Sequence, residues 1–98
     1  MTAAGPVAAA VPKRRLGVRV RVVRGVITVA GPQGVQELDE VAGFVYRQID
    51  GTRSLAELAD MLRAEYAGAD AETALADVAE LVGDLVGAEL VELRAPDG

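Results

Sequence analysis

The 98-residue chain has no cysteine and no histidine. The first absence excludes a disulfide framework and any thiolate metal site. The second removes the commonest general base and the commonest metal ligand together. No apolar run approaches the roughly 18–20 residues of a membrane span. No acidic residue precedes Glu37. Lys13, Arg14, Arg15, Arg19, Arg21 and Arg24 all come before it and acids dominate after it, for a net charge of −5. A chain of this length suits one domain. It buries roughly 60–65% of its unfolded surface, enough for one modest core.

Catalytic groups are equally scarce. The hydroxyl residues are Thr2, Thr28, Thr52, Ser54, Thr73, Tyr46 and Tyr66, and none lies in a nucleophile motif. There is no phosphate-binding loop; the nearest candidate, Gly31-Pro32-Gln33-Gly34, reads as a turn. The adjacent carboxylates Asp39 and Glu40 suit the start of a helix, where the macrodipole favours negative charge, better than they suit a metal. The expectation is a non-enzyme with no cofactor and no metal.

What is present is pattern. Met1 to Pro12 is rich in Ala, Val, Gly and Pro, with no basic residue ahead of its apolar stretch. That makes a poor signal peptide, so a flexible arm over residues 1–15 and a cytoplasmic location are expected. Leu16 to Val23 alternates as a strand, and Gly25 to Ala30 is a second β-rich run. A two-residue hairpin at Arg24-Gly25 sets Val22 opposite Ile27 and Val20 opposite Val29, giving one apolar face. Arg21 opposite Thr28 and Arg19 opposite Ala30 give the wet face. Across the Pro32-Gln33 turn, Ala30 pairs with Val35 and Ile27 with Leu38, making Gly34–Leu38 a third strand.

The period then becomes helical. Asp39 caps a first helix whose predicted stripe is Val41, Phe44, Val45 and Ile49, stopping at Asp50-Gly51. Ser54-Leu55-Ala56-Glu57 is a capping box, followed by Leu55, Leu58, Ala59 and Leu62. After a short loop around Gly68, Asp70 caps a third helix carrying Leu75, Val78, Leu81, Val82 and Leu85 and ending near Gly87. Glu89 to Leu93 is an extended tail, with residues 94–98 flexible. The prediction is an α+β domain over 16–93, a three-stranded antiparallel sheet followed by three helices, in which the last two helices and the β ribbon make a winged helix-turn-helix.

Three stretches resemble one family. They are Gly34-Val35-Gln36-Glu37-Leu38-Asp39, the run Ile49-Asp50-Gly51-Thr52-Arg53-Ser54-Leu55-Ala56-Glu57-Leu58, and Asp77-Val78 followed by Leu81-Val82 and Leu85. In order and spacing they are similar to the PqqD-like proteins, also called RiPP precursor-peptide recognition elements, over about Arg24 to Leu93. One departure is Asp39, where the family often has Asn; a helix cap survives that change. The resemblance implies a winged helix-turn-helix that binds peptide in place of DNA. The leader of a ribosomally made precursor peptide adds as a fourth antiparallel strand beside the third, against the third helix. A tailoring enzyme such as a radical SAM protein, cyclodehydratase or leader peptidase then acts on the peptide.

The residues themselves fit that reading, and they also fit a plain short edge strand and a third helix packed on two sides. Arg19 and Arg21 charge one sheet edge, and charges discourage strand pairing. The other edge, Gly34, Val35, Gln36, Glu37 and Leu38, carries one charge and is the more receptive to strand addition. On the third helix the apolar arc is wider than a core stripe needs. Its excess lies at Leu81, with Ala74 and Leu85 beside it and Asp77 and Asp84 adjacent; Val78 belongs to the same candidate wall. Nucleic acid fits poorly, because this helix offers Asp70, Glu72, Asp77, Glu80 and Asp84 and no basic residue. A structural or oligomerising module stays open, since an exposed edge also pairs with a second copy; a monomer or weak dimer is expected, with no membrane partner.

Overall fold

The computed structural model describes residues 8–66 and 70–94. In chain order the elements are β1 (Val11–Arg14), β2 (Arg19–Val23), β3 (Val26–Gly31), β4 (Gly34–Leu38), α1 (Glu40–Gln48), α2 (Leu55–Glu65), α3 (Ala71–Gly87) and β5 (Val91–Arg94). The expected antiparallel sheet is β2-β3-β4, and a second, two-stranded sheet pairs β1 with β5. Antiparallel strands followed by three helices make an α+β fold, as expected.

The sheet has the register expected of it. Val22 lies opposite Ile27 and Val20 opposite Val29, and Ala30 opposite Val35 and Ile27 opposite Leu38. The first hairpin turns on Arg24 (φ 54°) and Gly25 (φ 81°), the two positive φ values of a type I′ turn. Arginine in this left-handed conformation is strained by roughly 1–2 kcal/mol. The helix starts also hold. Asp39 accepts from the Ala42 N–H at 2.8 Å, Ser54 and Glu57 close a capping box, and Asp70 accepts from Thr73 N–H at 2.7 Å. Hydrogen bonds from Thr73 lower the Asp70 pKa below 3.8. The folded-state pKa is depressed, so the cap's contribution is present above 3.8 and is lost as pH falls through the folded value.

The core is one cluster. Ile27, Val29 and Leu38 of the sheet meet Val45, Tyr46 and Ile49 of α1, Leu55, Leu58, Ala59 and Leu62 of α2, and Ala74, Val78, Val82 and Leu85 of α3. A Cβ on Gly43 would sit 3.1 Å from Ile27 Cδ1, so α1 lies close on the sheet. Leu90 and Val91 close the core from the C-terminal side.

Three expectations need correcting. The arm over 1–15 does not hold for Val11–Arg14, which pair with β5, Val11 opposite Arg94 and Arg14 opposite Val91. Pro12 is fully buried, and the Ala10 carbonyl accepts from Leu55 N–H, an unpaired first-turn donor of α2, at 2.9 Å. Residues 1–7 of the arm, the loop at Gly68 and tail residues 95–98 lie outside the described residues. Second, the strand expected from Leu16 starts at Arg19, because the chain turns at Leu16-Gly17 to leave one sheet for the other. No element covers the inner face of β2, so Val20 and Val22 stay 45% and 66% exposed. Third, the α1 stripe is rotated: Val41 is exposed and Tyr46 is buried. The Arg14 guanidinium lies 4.5 Å from the Tyr46 ring centre and donates to the Tyr46 carbonyl at 3.0 Å, so the new strand supplies the cover that sequence periodicity did not show. Burial raises the Tyr46 pKa, with Arg14 working against it.

Two outcomes follow. Arg24→Asn places a residue tolerant of positive φ in the turn and should stabilise the domain by about 0.5–1 kcal/mol; an unchanged or lower Tm in thermal unfolding would count against the strained turn. Arg14→Ala removes the ring cover and one hydrogen bond and should cost about 1–2 kcal/mol, read by denaturant unfolding.

Candidate peptide-binding groove

β3 is the middle strand, so its residues alternate in the side to which they bond. The tight turn at Arg24-Gly25 makes Val23 and Val26 a hydrogen-bonded pair, and with them Arg21–Thr28 and Arg19–Ala30. That leaves Ile27, Val29 and Gly31 to bond β4 through Leu38, Gln36 and Gly34. The two-residue Pro32-Gln33 connection demands the same pairing. Val35 and Glu37 are the residues left over. Their N–H and C=O groups point outward along the free edge of the β2-β3-β4 sheet.

Side chains of Gly34–Leu38 divide by face. Val35 (66% exposed) and Glu37 share the outer face with Thr28 and Ala30, so only their backbones serve the edge. Gln36 turns inward, half-buried, and Leu38 is in the core at 6% exposure. Gly34 is exposed with φ 120°.

The second wall is α3, which runs opposite to β4. Near the C-terminal end of β4, Asp77, Val78 and Leu81 of α3 meet Asp39, Val41, Ala42, Val45 and Leu62 around a cavity of about 150 Å³. The pocket opens to solvent between Asp39 and Asp77, and its apolar lining suits one apolar side chain of a ligand. Near the other end, Gln33 and Gln36 face Gly83, Asp84, Gly87 and Ala88 across an open cleft. A Cβ on Gly83 or Gly87 would meet nothing within 4 Å. Each helical glycine costs about 1 kcal/mol against alanine, and here the pair keeps the cleft floor low.

The structure thus places Asp77, Val78 and Leu81 around the pocket near Asp39, and Gln36 across the second cleft from Gly83 and Asp84. Ala74 (0% exposed) and Leu85 (1%) do not join them. Both face the core, because the wide apolar arc of α3 is buried on two sides, against α2 and against β5. Among the predicted helix residues, half-buried Leu81 and exposed Asp77 have side chains free to meet a ligand, beside the floor that Val78 forms. Gly83 and Gly87 were missed by periodicity; their signal was two glycines four apart inside a helix. Asp39 and Val41 are expected from sequence only as cap and stripe, and Ala42 carries no expected role. Asp39, Asp77 and Asp84 give the groove negative charge around an apolar pocket, which favours a ligand with apolar anchors and basic flanks. Among the described residues no cluster of acids could hold a metal ion, and no helix is long and apolar enough to cross a membrane.

Comparison with known proteins supplies the family. Residues 25–91 match the model of "Coenzyme PQQ synthesis protein D (PqqD)". The "PqqA binding protein" of Xanthomonas oryzae pv. oryzae strain PXO99A is 43% identical over 84 residues, 84% of this chain and 90% of that one. Its counterpart in Xanthomonas campestris pv. campestris strain B100 is 39% identical over the same lengths. The solution structure of the PqqD truncation of Methylobacterium extorquens PqqCD, described as a functional, stand-alone RiPP recognition element, superimposes with a TM-score of 0.70 at 27% identity, covering 84% of this chain and 88% of that one. The resemblance carried by the Asp-Gly-x-Arg-Ser run therefore holds across the domain, and the chain belongs to the PqqD family.

Proposed function

We propose that the protein captures the leader segment of a ribosomally made precursor peptide as an added antiparallel strand on β4 and presents it to a modifying enzyme. The observation that carries this reading is the free edge of β4, with Val35 and Glu37 backbone groups turned outward beside a groove walled by α3. Relatives named as PqqA binding proteins support a peptide of that kind as the ligand. The protein itself performs no chemistry on the peptide. Four acids along α3 and Asp70 at its cap count against nucleic acid as the groove's occupant.

The magnitudes fit a useful affinity. Four edge hydrogen bonds contribute roughly 0.5–1.5 kcal/mol each and one or two buried anchors roughly 1.5–3 kcal/mol each, offset by association entropy. A dissociation constant from micromolar (about −8 kcal/mol) to tens of nanomolar is expected. Titration calorimetry of the protein with Xanthomonas oryzae PqqA, alongside amide NMR, tests it; no heat and no shifts in Gly34–Leu38 would sink the reading. PqqA mass should stay unchanged on incubation with this protein alone.

Edge parity gives a sharper test. Glu37→Pro removes an outward donor and should abolish binding while the domain stays folded. Gln36→Pro breaks the bond to Val29 and should instead cost about 1–3 kcal/mol of stability. The opposite pattern would place the free groups wrongly.

The helix wall is tested by two substitutions whose effects on stability and binding separate. Leu81→Asp puts a charge into the apolar pocket and should weaken binding more than it harms folding, unlike Val78→Asp in the core. Gly83→Leu should stabilise α3 by about 1 kcal/mol and yet weaken binding by filling the cleft. If folded Leu81→Asp and Gly83→Leu both bind PqqA like the parent, α3 is not a wall of the site.

A further inference from the structure

The groove has a direction. β4 runs from Gly34 to Leu38, so an antiparallel peptide enters beside Leu38 and leaves beside Gly34. Whatever lies downstream of the captured segment emerges at the Pro32-Gln33 turn. An enzyme acting on that downstream part must stand at this end of the domain.

The same end carries an unusual surface. Gln33 donates to Glu89 at 2.7 Å, and a Cβ on Gly31 would lie 2.5 Å from Leu90 Cδ2. Arg15 N–H donates to the Leu90 carbonyl at 3.1 Å, and Arg19 pairs with Ala30. These contacts bring the Arg15-Leu16-Gly17 turn to the groove's exit. Leu16 at its tip is 97% exposed, and Val20 next along is 45% exposed. Arg15 flanks Leu16, and Arg19 and Arg21 follow on the outer face of β2, opposite to that of Val20; all three arginines are exposed. The ion pairs formed among the described residues belong to Arg53 and Arg63, so these three cations keep their charge for another molecule.

Resting on the capture reading, we infer that the Arg15–Arg21 segment, with Leu16 as its apolar anchor, is the docking face for the modifying enzyme, through an acidic-rimmed apolar patch on that enzyme. An exposed leucine flanked by arginines is the composition of a protein interface. A second copy fits poorly, because two-fold pairing through β2 sets arginine against arginine. Nucleic acid fits less well: phosphates would take the arginines but leave exposed Leu16 unmatched.

The test uses the full chain, Xanthomonas oryzae PqqA and the enzyme that modifies PqqA. A nitroxide at the C-terminal end of PqqA should broaden the amides of Arg15, Leu16 and Arg19 and spare Arg24 and Gly25. Leu16→Asp and the double variant Arg15→Glu/Arg19→Glu are surface changes and should keep the parent's Tm and its PqqA affinity within about twofold. The enzyme concentration giving half-maximal modification should rise about tenfold or more, and added salt should reproduce part of that rise with the parent. Unchanged modification by both variants, or broadening at Arg24 in place of Leu16, overturns the inference. So does a dimer in sedimentation that Leu16→Asp dissolves, or duplex DNA shifting Arg15 and Arg19 while the variants leave modification intact. Failure of the parent to bind PqqA overturns the capture reading and this face with it; loss of the enzyme effect alone overturns only the face.

Discussion

Each strand residue has one N–H and one C=O, and a middle strand divides them between two neighbours. That arithmetic in β3 governs the rest of this molecule. Val26, Thr28 and Ala30 bond β2, while Ile27, Val29 and Gly31 bond β4. The same alternation sends the Ile27 and Val29 side chains into the core. Register, buried face and the outward groups of β4 are thus one choice made three ways. A one-residue slip would expose the core face and turn the wrong backbone groups outward.

The helices convert this edge into a groove. α1 is held close to the sheet at Gly43 by Ile27, and α2 packs α3 from behind through Leu55, Leu58, Ala59 and Leu62. α3 is therefore fixed beside β4 without covering it. The spacing leaves the apolar pocket at Val78 and Leu81 and the glycine-floored cleft at Gly83 and Gly87. The helix gives up intrinsic stability at these two glycines, in a domain whose core is already small.

Short-range chemistry made much of this legible from sequence. Both hairpin registers follow from two-residue turns, and the helix starts from Asp39, Ser54 and Asp70, because each depends on neighbours a few residues away. What stayed hidden depends on distant contacts. β1 pairs with the opposite end of the chain, and Pro12 made it look like arm. Phasing of α1 failed because Arg14 from β1 covers Tyr46. Val20 and Val22 alternate as a buried face should, yet no element reaches them. On α3, periodicity marks an apolar arc but not which part of it faces α2, so Ala74 and Leu85 could not be separated from Leu81. The edge strand itself was visible, but which of its amides are free required the sheet.

The antiparallel pairing of β1 with β5 places Val11 opposite Arg94. Two segments far apart in sequence thus leave the domain side by side. For gene fusion this brings an enzyme joined before β1 and one joined after β5 to the same side of the domain. A short linker at either position would hold enzyme and captured peptide at an effective concentration in the millimolar range, turning an encounter between separate molecules into an intramolecular one. The same adjacency makes the clasp a natural place to join the ends and open the chain elsewhere, in a circular permutant that keeps β4 and α3 unbroken.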